Sequence, residues 1–378
     1  MQCDYYDAGA CRSCTLMGQP YALQLRDLER HVRDTLGGIV PENVWQPTVF
    51  GPEAHFRNKA KLVVGGTRDQ PTFGILDGAR RGVDLHRCGL YEPGLHEALQ
   101  TLTEQVAAIG LVPYDVPRRT GELKHLVVTH APTGRLMVRF VLRSPGQLGR
   151  IRRALPGLRA ALPQITVVSV NLQPEHKAVL EGAEEVVLTE DETLTVPIAG
   201  VSLNLRPDSF FQTNTAVAAQ LYEQAGVWVA ASGARSLWDL FCGVGGFGLS
   251  VGARVPLQVT GVEVAPGAVA AARQSATELV ARNPLSSFDF RVGDAATTLR
   301  DEPLPDVVLV NPPRRGIGPL AETLEASGVP QVVYSSCNVE SLARDLTRMP
   351  SYAVADARVF DMFPQTRHHE VLVRLVRE

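Results

Sequence analysis

The stretch Asp306-Val307-Val308-Leu309-Val310-Asn311-Pro312-Pro313-Arg314-Arg315-Gly316 decides the fold, together with Val332-Val333-Tyr334-Ser335-Ser336-Cys337-Asn338, which follows a helical-looking segment. Each is a short β-branched run that ends in a polar cluster. Runs of this kind, bounded by turn signals, read as buried strands of a parallel sheet. In an open α/β sheet a ligand sits in the crevice beyond the carboxyl ends of the strands. Both clusters are therefore expected to face one crevice, with the Cys337 thiol at its lip as a candidate nucleophile.

Working outward, Ser236 to Gly248 (S-L-W-D-L-F-C-G-V-G-G-F-G) reads as a strand running into a glycine-rich turn. Val259 to Val264 reads as a second strand with Glu263 near its end, Ala265 to Val280 as a helix, and Asp289 to Ala295 as a third strand and its loop. The alternation is βαβα. Gly243, Gly245 and Gly248 fit G-x-G-x-x-G, which lets backbone approach a nucleotide-like ligand, and Glu263 is placed to accept ribose hydroxyls. Dinucleotide-binding and S-adenosylmethionine-binding folds share this pattern. Asp239 just upstream of the turn, and Asn311-Pro312-Pro313, point toward methyl transfer to a base. Cys242 inside the turn reads as a small packing residue. After the second quoted stretch, Val359–Pro364, Gln365–Glu370 and Val371–Val376 read as strand, loop and strand, with Glu370 at the mouth of the last strand.

The 378 residues, 45% hydrophobic and 20% charged, suit two or three domains with real cores. A formal charge of −3 does not announce nucleic-acid binding. Six cysteines are too sparse for a secreted disulfide framework, and no signal peptide or membrane span is visible, so a cytoplasmic protein with reduced thiols is expected. Cys3, Cys11 and Cys14 crowd the N-terminus, with Cys88 as a distant fourth. They suggest a four-thiolate site for zinc or an iron–sulfur cluster, and the single C-x2-C pair favours the cluster. Gln19 to Leu36 has apolar residues at helical spacing and reads as a packing helix. Arg57, Lys59 and Lys61 share one face of a strand, suited to phosphate or to ordinary solvation. Pro117 to Ala160 holds ten of the 37 Lys and Arg residues, Arg139 and Arg143 among them, against Glu122 alone. With its strands around Leu126–Thr129 and Leu136–Leu142, this segment is expected to form an RNA platform with a basic face.

At D-L-F-C-G-V-G-G-F-G, N-P-P-R-R-G, S-S-C-N and D-M-F-P-Q-T-R-H-H-E the chain resembles the RNA uracil-C5 methyltransferases that use S-adenosylmethionine, and the four-cysteine pattern resembles the members acting on 23S ribosomal RNA. The resemblance spans the whole chain. It implies an α/β fold: a Rossmann-like, class I S-adenosylmethionine-dependent methyltransferase domain over 209–378, preceded by a smaller α+β iron–sulfur and RNA-binding domain over 1–208. The helix 19–36 is expected to pack on the catalytic domain. By resemblance, Cys3, Cys11, Cys14 and Cys88 hold a [4Fe–4S] cluster. Gln212, Phe241, Gly243, Glu263 and Asn311 line the cofactor site, Cys337 is the nucleophile, and Glu370 is the base. Members of the wider superfamily often have Asp where this chain has Asn311, which removes Asn311 as a base and leaves it to meet either the uracil edge or the cofactor. A monomer acting on 23S ribosomal RNA, with no membrane association, is expected.

The chemistry needs these parts. Uracil C5 is too poor a nucleophile to accept a methyl group from a sulfonium unaided. A thiolate adding at C6 enriches C5, and a base must later remove the C5 proton so that the thiolate can leave. Arg314 or Arg315 is suited to supply positive charge for the thiolate or for phosphate, and equally to a structural role. The target base must leave its stack. An adenine-N6 methyltransferase would carry an aromatic residue after Asn-Pro-Pro and leave Cys337 without a task. A cytosine-C5 methyltransferase shares the thiolate logic and is told apart by its substrate. A non-catalytic cluster-bearing RNA-binding factor would not need Cys337 where it stands.

Overall fold

The computed structural model describes residues 1–177, 179–282, 284–298 and 302–378. Among them, two seven-stranded sheets and one two-stranded hairpin carry the strands. The chain divides into two units, Met1–Cys14 with Glu53–Leu194, and Thr15–Pro52 with Thr195–Glu378. Among the described residues no helix is long and apolar enough to cross a membrane.

The first unit contains β1 (Lys59–Gly66), β2 (Pro71–Leu76), β3 (Gly82–Asp84), β4 (Leu123–His130), β5 (Leu136–Leu142), β6 (Ile165–Leu172) and β7 (Glu184–Val187), in the order β3-β2-β1-β4-β5-β6-β7. β5 and β6 pair in parallel, and the helix Leu148–Ala161 makes the crossover that a parallel pair requires. Alternate strand residues, such as Leu62 and Val64, Leu126 and Val128, and Val138 and Phe140, point to one core. There they meet Leu95, Leu99 and Leu102 of the helix Pro93–Ile109, and Ile151 and Leu158 of the crossover helix. Period two on the strands thus meets period 3.6 on the helices.

Alternation also sends Arg139 of β5 the other way, and here the expected basic face is corrected. Arg139 is 4% exposed. Its guanidinium grips Glu185 through Nε and Nη2, at 3.0 and 2.6 Å, and also donates to Glu181. Arg143 donates to Glu122 at 2.9 Å. The acidic stretch that follows the basic segment in sequence therefore neutralises its centre in space. Arg150, Arg152, Arg153 and Arg159, on the crossover helix, stay exposed.

The second unit holds the hairpin β8 (Leu194–Ile198, from its second residue on) and β9 (Val201–Leu205), then β10 (Ser236–Leu240), β11 (Gln258–Glu263), β12 (Ser287–Val292), β13 (Val307–Val310), β14 (Gln331–Ser336), β15 (Tyr352–Phe360) and β16 (Glu370–Arg377). The sheet order is β12-β11-β10-β13-β14-β16-β15. β10 to β14 run parallel, and β16 enters antiparallel between β14 and β15. The order reverses between β10 and β13, which is the topological switch point where ligands bind in such sheets. The two quoted runs are β13, buried throughout, and β14.

The helix Tyr21–Leu36 belongs to this unit. Its Val32 and Leu36 are fully buried in the core formed by Trp238, Val308, Val332, Tyr334 and Val371. The division between units falls at Leu194/Thr195, upstream of the 208/209 boundary expected from sequence. The physical reason is β9: the Asn204 amide nitrogen donates its backbone N–H to Ser275 Oγ (2.9 Å) and its side chain to Glu278 Oε1 (3.0 Å), tying the hairpin to the helix Pro266–Arg282.

Candidate active site

The carboxyl ends of β10, β11, β13 and β14 and the start of β16 surround one cavity of about 650 Å³, inside the roughly 300–1,000 Å³ range of small-molecule sites. Every residue the sequence reading assigned to catalysis or cofactor lines it: Gln212, Phe241, Gly243, Glu263, Asn311, Cys337 and Glu370.

The glycine-rich turn follows β10 directly. Phe241 and Gly243 both take left-handed backbone, at φ 62° and 54°. For Phe241 this is a strained conformation, of the kind found at ligand sites. The turn is closed by Glu263 at the end of β11, whose carboxylate accepts the N–H of Gly243 (3.2 Å) and of Ala265 (3.0 Å). Asp239 of β10 is fully buried and accepts the Gly248 N–H at 2.8 Å. A Cβ at Gly248 would stand 2.9 Å from that carboxylate, so only glycine lets the helix Gly246–Arg254 approach. Burial, with the Glu263 charge adding, raises the Asp239 carboxyl to about 7 against the pull of the Gly248 N–H. The other Asp239 oxygen has no hydrogen-bond partner among the described residues. Cys242 is buried, and its thiol is raised far out of the reactive range, as befits a packing residue.

β13 delivers Asn311, Pro312, Pro313 and Arg314, and β14 delivers Cys337, with Asn338 capping the next helix through its Oδ1 to the Ser341 N–H at 3.0 Å. Asp345 joins the two loops. One of its oxygens accepts the Ile317 N–H and the Tyr334 hydroxyl, each at 2.8 Å, from full burial. Burial raises the Cys337 thiol above its ordinary value, the Glu370 carboxyl adds to the rise, and the Arg314 guanidinium opposes it. Arg314 also donates to His368 Nδ1 at 2.5 Å, which requires that nitrogen to be unprotonated. Glu370 is 4% exposed, and burial raises its carboxyl to about 8, against Ser335 Oγ–H donating at 3.3 Å and the charge of Arg314. A half-buried thiol, a cation and a carboxyl with raised proton affinity thus share one wall.

Sequence reasoning passed over several lining residues. Phe210 is 71% and Val264 67% exposed, although both line the cavity. Tyr222 and Phe363 line it as well. An exposed phenylalanine beside a buried one, Phe210-Phe211, is a detectable signal; Asp345 sits in an ordinary amphipathic helix and offers none.

In the first unit, Cys3, Cys11, Cys14 and Cys88 line a cavity of about 140 Å³ with Tyr5, Tyr91, Arg57, Lys59 and Lys61. Burial and then Cys88, Cys11 and Cys3 push the Cys14 thiol up to about 11, with Arg57 opposing. Among the described residues no three or more His, Cys, Asp or Glu side chains are grouped so as to hold a single metal ion.

The family model described as tRNA (Uracil-5-)-methyltransferase matches residues 297–378, which include both quoted loops from Asn311 onward and Glu370. The 23S rRNA (uracil(747)-C(5))-methyltransferase RlmC of Halothiobacillus neapolitanus is 48% identical over 383 residues, covering 100% of each chain. The protein of the same name from Cronobacter sakazakii is 47% identical over 384 residues, again across 100% of both. Among solved structures, the Pyrococcus abyssi tRNA (uracil-54, C5)-methyltransferase in complex with S-adenosyl-L-homocysteine aligns with a TM-score of 0.75 and 24% identity, over 96% of this chain and 85% of that one. That likeness shows the shared α/β fold of an S-adenosylmethionine-dependent methyltransferase. With end-to-end identity at this level, the chain belongs to the RNA uracil-C5 methyltransferase family, in the branch of the RlmC proteins.

Proposed function

We infer that this protein methylates C5 of a uridine in 23S ribosomal RNA, uridine 747, with S-adenosylmethionine as donor, and does so in the cytoplasm. The observation that carries the reading is the meeting of Cys337, Arg314 and Glu370 in the wall of a single cavity at the switch point of the sheet.

The cavity suits the donor. Glu263 spans the glycine-rich turn, and each of its oxygens keeps capacity to accept a ribose hydroxyl. Phe241 and Gly243 offer backbone at the turn, Gln212 and Asn311 offer amides, and the apolar Phe210 and Val264 flank them. Bound among these residues, S-adenosylmethionine supplies an electrophilic methyl group on a sulfonium.

The protein's own groups act on the uracil. Cys337, as thiolate, adds to C6 and pushes electron density to C5 and O4. Arg314 favours that thiolate, since its charge opposes the rise caused by burial. After methylation, C5 carries both its proton and the new methyl group. Glu370 removes the proton, the C5–C6 double bond re-forms, and the Cys337–C6 bond breaks. A carboxyl with its proton affinity near 8 is a far better acceptor than an ordinary glutamate, and close to the working pH at which a general base is most effective. A half-buried thiol in the wall of a cavity is reached by a base swung out of its stack.

A [4Fe–4S] cluster held by Cys3, Cys11, Cys14 and Cys88 is part of the proposal. Four thiols line one cavity, and three of them raise the proton affinity of Cys14, so their combined charge needs a cation to neutralise it. The support is the shared cavity and the cysteine spacing in sequence, whose single C-x2-C pair favours a cluster over a zinc ribbon. For RNA, the proposal assigns phosphate contact to the crossover helix Leu148–Ala161, whose sequence carries four arginines and no acid.

The test is to map methyl groups in 23S ribosomal RNA from cells lacking the gene and then to restore the mark with purified protein. Loss of 5-methyluridine at position 747 alone is expected; an unchanged position 747 would refute the assignment.

A further inference from the structure

Glu370 is delivered to the cavity by the loop Asp361–His369, which lacks regular secondary structure yet also contributes Phe363, His368 and His369 to the lining. Something must fix such a loop if the carboxyl at its end is to meet one proton. Besides the Asp361 N–H donating to the Val49 carbonyl at 2.8 Å and Arg314 donating to His368, three side-chain tethers reach it from elsewhere in the unit. Tyr21 Oη donates to Asp361 Oδ2 at 2.7 Å, and Asn214 Nδ2 donates to the Met362 carbonyl at 3.3 Å. The third tether, at the middle of the loop, is the most elaborate.

Gln365 is 1% exposed and holds a left-handed backbone at φ 70°. Gln24, 4% exposed on the helix Tyr21–Leu36, meets it in a reciprocal amide pair. Gln24 Nε2 donates to Gln365 Oε1 at 3.0 Å, and the Gln365 N–H donates to Gln24 Oε1 at 3.2 Å. The same Nε2 lies 2.8 Å from the Gln19 carbonyl and 3.2 Å from that of Leu16, while the Leu16 N–H donates to the Gln365 carbonyl at 3.0 Å. A left-handed non-glycine residue persists only where its surroundings over-determine it. Here the surroundings include the Gln24 side chain and the Leu16 backbone, from a segment more than 300 residues earlier. Removing the Gln24 amide takes away the donor to Gln365 Oε1 and the acceptor of the Gln365 N–H, two of the bonds that fix the middle of the loop.

We propose that Gln24 is a positioning residue for the final proton abstraction, holding Glu370 in register through Gln365. The proposal rests on the reading of Glu370 as the base. It predicts a particular failure: methyl transfer precedes the proton abstraction, so a displaced Glu370 stalls the reaction after the covalent bond to Cys337 has formed.

The test uses the full-length protein with Gln24→Met, similar in size but without hydrogen bonds. Turnover should fall roughly a hundredfold, the scale of a small misplacement of a reacting group, with donor binding unchanged. A methylated RNA–protein adduct that survives denaturing electrophoresis should accumulate. Trypsin should cut faster after the exposed Arg367 in the same loop. Gln24→Glu keeps the size and the acceptor for the Gln365 N–H, so it should lose less and trap less adduct. It is also the second variant if Gln24→Met folds poorly. Slow turnover without adduct, or unchanged cleavage at Arg367, overturns the proposal. If Glu370→Gln itself traps no adduct, the assignment of the base has failed instead, and accelerated cleavage at Arg367 in Gln24→Met still separates that outcome from failure of the tether.

Discussion

Cys337 and Cys14 are partly buried thiols whose acidity burial suppresses, and what differs is the company each keeps. Cys337 has one carboxyl and one guanidinium beside it, pulling in opposite directions. Cys14 has three further thiols, all pushing it up, and a lone opposing Arg57. A thiol flanked by a cation and a proton acceptor is equipped to attack and then to leave. Cys14 and Cys88, raised by burial and by the thiols around them, do not ionise readily unless a positive centre takes their charge. Burial alone would have ranked the two alike; the neighbouring groups separate the proposed nucleophile from the proposed ligand set.

The largest expected effect breaks the Cys337 side. Cys337→Ala should abolish turnover and any RNA adduct while donor affinity stays near normal, because the thiol acts on the uracil. Detectable turnover by the purified variant would end its role as nucleophile. Next in size is Glu370→Gln, which keeps shape but cannot take the proton. Turnover should drop on the order of a hundredfold to ten-thousandfold, with the adduct accumulating. In the unaltered protein the Glu370 carboxyl, raised to about 8, still holds its proton at neutral pH. Turnover should therefore rise as pH climbs through about 8 and fall below it, and a profile flat from pH 6 to 9 would contradict the assignment. On the other side of the comparison, anaerobically prepared protein should carry about four irons per chain. Cys88→Ser should lose them and destabilise the first unit by about 3 kcal/mol or more, since loss of a metal centre is among the most damaging single changes. Equal iron content and melting in Cys88→Ser would dissolve the contrast.

Much of this was readable in the sequence because the decisive elements are short and locally coded. β13 and β14 are β-branched runs ending in polar clusters, and their residues meet where the sheet rule sends them. The glycine turn and Glu263 are equally local. What escaped was set by distant partners. Arg139 looks like a phosphate ligand until Glu181 and Glu185 arrive from over 40 residues away. Gln24 is an unremarked residue on the polar side of a helix until Gln365 meets it across 341 residues. The hairpin β8–β9 joins the second unit through Asn204, whose partners Ser275 and Glu278 lie over 70 residues on. Composition and periodicity carry no record of such pairings.

The smallest expected effect concerns RNA, and it turns the Arg139 correction into a measurement. The exposed arginines of the crossover helix lie on its solvent side, opposite the buried Ile151 and Leu158. Small residues, Gly149, Gly157 and Ala160, stand exposed among them, so a polyanion can approach the backbone closely. If these arginines hold phosphates, replacing Arg152, Arg153 and Arg159 by Gln should weaken RNA binding only modestly at low salt. The dependence of log affinity on log salt should become shallower by about 2 to 3, because each lost phosphate contact releases fewer counterions. Arg139→Gln should do the reverse. It leaves Glu185 and Glu181 unpaired and should destabilise the first unit by about 3 kcal/mol, yet leave the salt slope of the folded protein untouched. If Arg139→Gln flattens the slope and the triple change does not, the phosphate face lies on the sheet after all, and the ion pairs of Arg139 open when RNA binds.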